Sequence, residues 1–199
     1  MRGAVDNDVI LKGACYGLLA DLIQAIPCDL RDVGVLGAAR FVIRRLLPRA
    51  AVSRDLGAVD QCLRDFFRQA EILEPTMEEL RFAATLELTA QTMDVDLDVG
   101  ESQLCAIVVA RAAEWFATGD KRAVLALEKI LLQLGQTAGM DGKVLCFEQL
   151  FLRLLAIANP AHVRQAVCSR LIPLSQVNQN LVLAGQIRNG AGFEFFGRS

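Results

Sequence analysis

Three short acidic segments, each closing an apolar run, carry the residue types best suited to chemistry: Asp6 and Asp8 within 4–10, Asp98 and Glu101 within 97–103, and Asp120 within 116–122. Carboxylates drawn from distant parts of a chain are how a protein holds a hard divalent cation, which takes oxygen ligands and gives up its water reluctantly. If the three segments meet in space, they make a centre for metal-dependent phosphodiester hydrolysis. Each acid also has a structural role open to it: Asp6, Asp8 and Asp120 suit helix N-caps, and Glu101 suits the first turn of a helix. Lys121 and Arg122 directly follow Asp120 and are placed to meet a phosphate. Thr118 is placed to hold either Asp120 or a phosphate through its hydroxyl.

Short apolar runs alternate with longer stretches of helical period, the pattern of an α/β domain with a parallel sheet. A strand over 3–5 leads into a helix reaching residue 25, with Ile10, Ala14, Leu18, Leu22 and Ile26 on one face and Pro27 closing it. A second strand over 32–36 precedes a helix over 38–47 stopped by Pro48. Ser53 is the expected N-cap of the next helix, which carries Leu56, Val59, Leu63 and Phe66 on one face. Ile72 and Leu73 suit a very short strand. Thr76 and Glu79 form a capping box ahead of a helix with Phe82, Leu86, Ala90 and Met93 on its buried face. Helices over 100–114 and 121–134 flank a strand over 115–118. A last strand over 143–147 is followed by helices over 148–158 and 162–171. Ligands bind outside the carboxyl ends of the strands of such a sheet, which puts Asp6 and Asp120 on one rim.

The 199 residues, 53% of them hydrophobic, suffice for one well-covered core, and no linker or repeat divides them. A formal charge of -2 supplies no global field for nucleic acid, so any such contact has to be local. Six cysteines without C-x-x-C spacing read as buried free thiols, neither a zinc framework nor a disulfide scaffold. His162 is the single histidine, which leaves little room for His-based triads. Acids at positions 6 and 8 and a lysine at 12 break any signal-peptide core, and no apolar run approaches the about 20 residues of a membrane span. A soluble cytoplasmic protein is the expectation.

Taken together, the acidic segments resemble those of a known family. Val5-Asp6-Asn7-Asp8-Val9-Ile10 is similar to the opening hydrophobic-Asp-x-Asn-hydrophobic motif of PIN-domain nucleases. Leu97 to Gln103 with Ala106 resembles that family's Leu-x-x-Gly-Asp/Glu-x-x-x-x-Ala helix start, and Thr118-Gly119-Asp120-Lys121-Arg122 its Thr-x-Asp-Lys-Arg strand end. The resemblance spans about 1–147. It implies a three-layer α/β/α sandwich with a mainly parallel sheet, here extended by a helical C-terminal segment over 148–199. It also implies an acidic pocket for magnesium or manganese, hydrolysis of single-stranded RNA, and, by analogy with many members, a toxin-like role with an antitoxin partner or self-association. On this comparison Asp6, Glu101 and Asp120 are the catalytic acids.

One departure stands out. The family's second acid, on the helix after the second strand, has no counterpart, because 33–54 contains no Asp or Glu. Asp8 is the closest substitute and joins Asp6, Glu101 and Asp120 in the expected ligand set; Glu79 is a weaker one. Arg40, Arg44, Arg45 and Arg49 occupy the region instead, read either as a phosphate track, with Arg44 on the substrate, or as a solvated face. Trp115 reads as core packing, and Phe193, Phe195 and Phe196 as docking aromatics on a mobile end. Two other readings stay open: a PIN-like module that has lost catalysis and binds nucleic acid or protein, and a helical adaptor whose acidic segments are only caps.

Overall fold

The computed structural model describes residues 1–26, 28–50 and 55–168, with side chains for all of these except 49 and 50. Pro27, Ser53, the Arg49 side chain and the tail bearing Phe193, Phe195 and Phe196 lie outside the described residues.

Parallel strands buried on both faces need helices on both faces, because alternate side chains feed two separate cores. Among the described residues the strands are β1 (Gly3–Val5), β2 (Val33–Leu36), β3 (Glu71–Leu73), β4 (Trp115–Thr118) and β5 (Val144–Cys146). They form one all-parallel sheet in the order β3-β2-β1-β4-β5, with Val5 opposite Ala117 and Thr118 opposite Cys146. The helices are α1 (Asn7–Tyr16), α2 (Leu19–Gln24), α3 (Ala39–Ala50), α4 (Leu56–Gln69), α5 (Met77–Met93), α6 (Val99–Ala110), α7 (Lys121–Gln133), α8 (Phe147–Ile157) and α9 (Pro160–Cys168).

Val5, Val33, Val35, Trp115, Ala117 and Leu145 point to one face and pack with α1 to α4, α8 and α9. Ala4, Leu36, Leu73 and Phe116 point to the other and pack with α5, α6 and α7. The result is a three-layer α/β/α sandwich. Phe116 and Ile107 are wholly buried in the second core, and burying a side chain of that size contributes roughly 1.5–3 kcal/mol. Leu150, Phe151 and Leu154 of α8 and Val163 of α9 are buried in the first core, continuous with α1 and α2.

Several expected boundaries move, each for a local reason. The first long helix is two helices, because Gly17 takes a left-handed conformation (φ 65°) and its amide, with that of Leu18, closes on Ala14 and Gly13. The apolar ladder of Ile10, Ala14, Leu18, Leu22 and Ile26 is buried on both sides of the break. Pro48 does not end α3; it sits in the last turn, where a missing N–H forfeits a single intrahelical bond. α4 is capped by Asp55, whose carboxylate accepts from the amides of Gly57 and Ala58. α6 starts at Val99 and stops at Ala110, before a turn in which Ala112 has φ 52°. Met93 and Phe82 are only partly buried on α5, whose buried face runs Glu79, Ala83, Leu86, Ala90. None of the six cysteines is joined in a disulfide; Cys15 and Cys105 are buried and Cys168 is exposed.

Candidate functional site

The chain leaves β1 for β2 and β3 and then crosses to β4 on the opposite side of β1. The carboxyl ends of β1 and β4 therefore flank the topological switch point, where an open α/β sheet splits to make a crevice. Asp6 follows β1 and Asp120 follows β4 at that crevice, and the Asp6 amide donates to the Ala117 carbonyl at 2.9 Å, locking the two strand ends together. Gly119 allows a close approach across it. A Cβ there would lie 3.1 Å from Asp8 Cβ, Asp8 Oδ2 and Lys12 Nζ.

Asp6 occupies the N-cap position of α1, yet its carboxylate makes no capping bond. Burial pushes its pKa up to about 6, the Asn7 amide opposes this, and the charges of Asp8 and Asp98 add to the rise. Glu101 lies in the first turn of α6, in a capping box. Its carboxylate accepts from the Asp98 amide at 3.1 Å, and Asp98 Oδ1 accepts from the Glu101 amide at 2.8 Å. Burial raises Glu101 to about 8, and after the opposing Asp98 amide the charges of Asp98, Asp6 and Asp120 push the same way. The acids from the three segments thus share one electrostatic neighbourhood. Ser102, wholly buried, donates from its hydroxyl to Glu87 at 2.5 Å and fixes the start of α6 against α5.

The outer acids have cationic partners. Asp8 pairs with Lys12 at 2.8 Å, and the same ammonium stands 3.5 Å from the Gly119 carbonyl and 5.9 Å from the centre of the Phe147 ring. Asp120 caps α7 by accepting from the Arg122 amide at 2.8 Å. The Arg122 side chain also forks onto both its oxygens, at 3.3 and 2.9 Å, which holds its carboxyl below the usual range. Thr118 is fully buried, and its hydroxyl accepts from the Asp120 amide at 3.2 Å. It sets the Asp120 turn and faces away from solvent. Lys121 reaches Glu148 at 2.9 Å, at the start of α8 just beyond β5.

Lys12 and Glu148 were not candidates from sequence. Asp8 and Lys12 stand one helical turn apart, a visible i, i+4 signal. Glu148 has no such signal, since its place beside Lys121 depends on β5 pairing with β4. One oxygen of Glu148 is buried without a partner among the described residues. Arg44 lies apart from these groups, exposed in a trough between α3 and α4. Glu79 is taken by Arg111, at 2.7 and 2.9 Å, and is not a substitute for the missing acid.

No family model, curated protein or solved structure matches the chain.

The donor set at the crevice is all carboxylate oxygen, the chemistry that magnesium and manganese prefer. Asp6 and Glu101 are 7% and 5% exposed, and neither has a cation paired with it among the described residues. A hard cation is the group such a pair suits. Among the described residues no three Asp, Glu, His or Cys side chains are gathered tightly enough to surround an ion. Asp8 and Asp120, turned to Lys12 and Arg122, have to exchange those partners to join one. Among the described residues, too, no helix is long and apolar enough to cross a membrane.

Proposed function

We propose that this protein is a PIN-like, magnesium- or manganese-dependent ribonuclease that hydrolyses phosphodiester bonds of single-stranded RNA. The observation that supports the reading is the pair of buried acids, Asp6 and Glu101, which come from elements far apart in sequence, lie close enough for the charge of Asp6 to raise Glu101, and have no ion-pair partner among the described residues. Burial raises the pKa of both acids, so each holds its proton more tightly than a free carboxyl does, and a bound cation would favour the ionised form that coordinates it. Asp6 and Glu101 hold the cation, with Asp120 and Asp8 as outer ligands. When bound, the cation supplies a polarised water and charge compensation for the departing oxygen. Thr118 fixes the turn that presents Asp120. Lys121 and Arg122, exposed at the rim, exchange their present acid partners for the phosphate.

The test is cleavage of a labelled single-stranded RNA in millimolar manganese. Asp120→Asn is expected to abolish it and to leave the fold and melting midpoint nearly intact. Equal activity of mutant and parent overturns the assignment.

A second reading is favoured by the pairing of Asp8 with Lys12 and of Asp120 with Arg122: a PIN-like module that no longer turns over and works in binding, including binding of a protein partner such as an antitoxin or of a second copy. Manganese discriminates. Binding at the crevice raises the melting midpoint by mass action, and no shift at millimolar metal selects the module.

A further inference from the structure

α3 and α4 both rest on α1, and between them runs a trough of about 540 Å³. Arg40 and Arg44 project from α3 one turn apart, and Arg64 and Arg68 from α4 with the same spacing, so four guanidinium groups line one space. Read singly along the sequence, each is an ordinary surface charge. Arg64 is tied to Asp60 and Arg68 to Asp65 on their own helix. Arg40 and Arg44 have no acid partner among the described residues, which leaves four cations against two acids and a net positive trough.

The floor decides what kind of anion fits. Its aliphatic members, Ile43, Leu47 and Leu63, are already buried in the first core, at 1%, 7% and 5% exposure. They offer no open socket for the apolar face of a docking helix. The apolar matter still accessible is aromatic: Phe41 is 64% exposed, with the Arg40 guanidinium 4.8 Å over its ring, and Phe67 is half-buried. Flat rings beside unpaired guanidinium groups stack bases and neutralise phosphates without regard to sequence. One end of the trough is set by the start of α3. Arg40 and Phe41 stand in the first turn of α3, just after β2 leaves the sheet at the same carboxyl edge as Asp6.

We propose that the α3–α4 trough is a binding track for single-stranded nucleic acid, in which Arg40 and Arg44 hold phosphates and Phe41 carries a stacked base. It rests on the ribonuclease reading for its ligand class, and extends it from a cleavage centre to the surface that holds the strand.

The test is fluorescence anisotropy of a fluorescein-labelled 20-nucleotide single-stranded RNA with the full chain, in EDTA so that no cleavage contributes, over 50 to 200 mM salt. Arg40→Glu with Arg44→Glu is expected to weaken binding at least tenfold and to flatten the slope of log affinity against log salt by about 0.7 for each arginine lost. Arg40→Lys with Arg44→Lys keeps most of the affinity. Phe41→Ala weakens binding about tenfold and leaves the salt slope unchanged, as a neutral stacking contact must. Affinity and slope equal to the parent's in the charge-reversed variant overturn the proposal. So does preferential capture of an Asp/Glu-rich helical peptide lost in the same variant, which assigns the trough to a protein partner. Because the measurement needs no metal and no turnover, arginine-dependent RNA binding by a chain that never cleaves RNA leaves the trough standing and removes only the nuclease.

Discussion

Helices α5 and α6 both begin with a capping box, Thr76 with Glu79 in one and Asp98 with Glu101 in the other, and both glutamates are buried, at 4% and 5% exposure. Their surroundings differ in one respect. Arg111 reaches across to Glu79 with two short bonds and holds its carboxyl below the usual range. Glu101 has no such arginine; burial and the charges of Asp98, Asp6 and Asp120 push it up to about 8. The same local motif therefore ends in a structural ion pair at one site and in an unbalanced carboxyl at the other. Capping geometry explains why a glutamate stands at each position. It does not explain why one has no ion-pair partner among the described residues while standing beside other acids, and the proposed nuclease reading rests on that remainder.

The largest expected effect separates the two glutamates by activity. Glu101→Gln keeps an oxygen for the Asp98 amide but removes the ionisable carboxyl proposed to hold the cation, and is expected to take metal-dependent RNA cleavage to background. Glu79→Gln should leave measurable cleavage. If both variants are equally active, Glu101 is only a cap and the contrast loses its functional meaning.

Stability should order the pair the other way. Glu79→Ala strands Arg111, and breaking a buried pair costs about 3–5 kcal/mol. Since Arg111 is about a third exposed, about 2–3 kcal/mol is expected in denaturant unfolding. Glu101→Gln is expected to raise the melting midpoint at pH 8, because the amide carries no charge for the neighbouring acids to repel. A lower midpoint for Glu101→Gln than for the parent at that pH shows that the carboxylate is already balanced.

The pH dependence follows from the direction of each shift. Glu101 has a folded pKa of about 8 against a usual 4.5, and Asp6 about 6 against 3.8. Between those values the folded chain keeps protons that the unfolded chain has released, so stability falls as pH rises from about 4 to 8. Glu79 runs in the opposite sense: its contribution is present above 4.5 and is lost as pH falls through its lowered folded value. Thermal melts from pH 5 to 8 should therefore decline in the parent and decline less in Glu101→Gln. Manganese should recover the loss most at pH 8, where the cation competes with the fewest protons. A flat parent profile contradicts the burial of an unbalanced acid.

How far the sequence alone reaches can be seen along this same contrast. The strand ends at Asp6 and Asp120 were legible, because a short apolar run meeting an acid and then a helical period marks both an edge and a cap. Thr76 and Glu79 were legible as a capping box; Asp98 and Glu101, at the same spacing, were not, because the helix was expected to begin at Gly100. The break at Gly17 was hidden by an apolar ladder that runs through it without changing face. Above all, partner choice was hidden. Arg111 stands far from Glu79 in sequence, and Lys121 meets Glu148 only because β5 lies beside β4. Local periodicity predicts which residues share a helix face, whereas the neutralisation of an acid is decided by which strands become neighbours.

The smallest expected change in stability comes from Arg122→Ala, and its sign is informative. Arg122 is three-quarters exposed, and its fork onto Asp120 is open to solvent, so its loss should hardly move the metal-free melting midpoint. It should nevertheless enlarge the midpoint shift produced by a fixed manganese concentration, because the cation no longer competes with a guanidinium for both oxygens of Asp120. Cleavage at saturating metal should fall in the same variant, since the phosphate loses a rim cation. Tighter metal binding together with slower cleavage is a pair of outcomes that a merely structural arginine does not produce. A manganese response no larger than the parent's means that Asp120 is not among the ligands, and it returns Asp120 to the role it shares with Thr76 and Asp98, the cap of a helix.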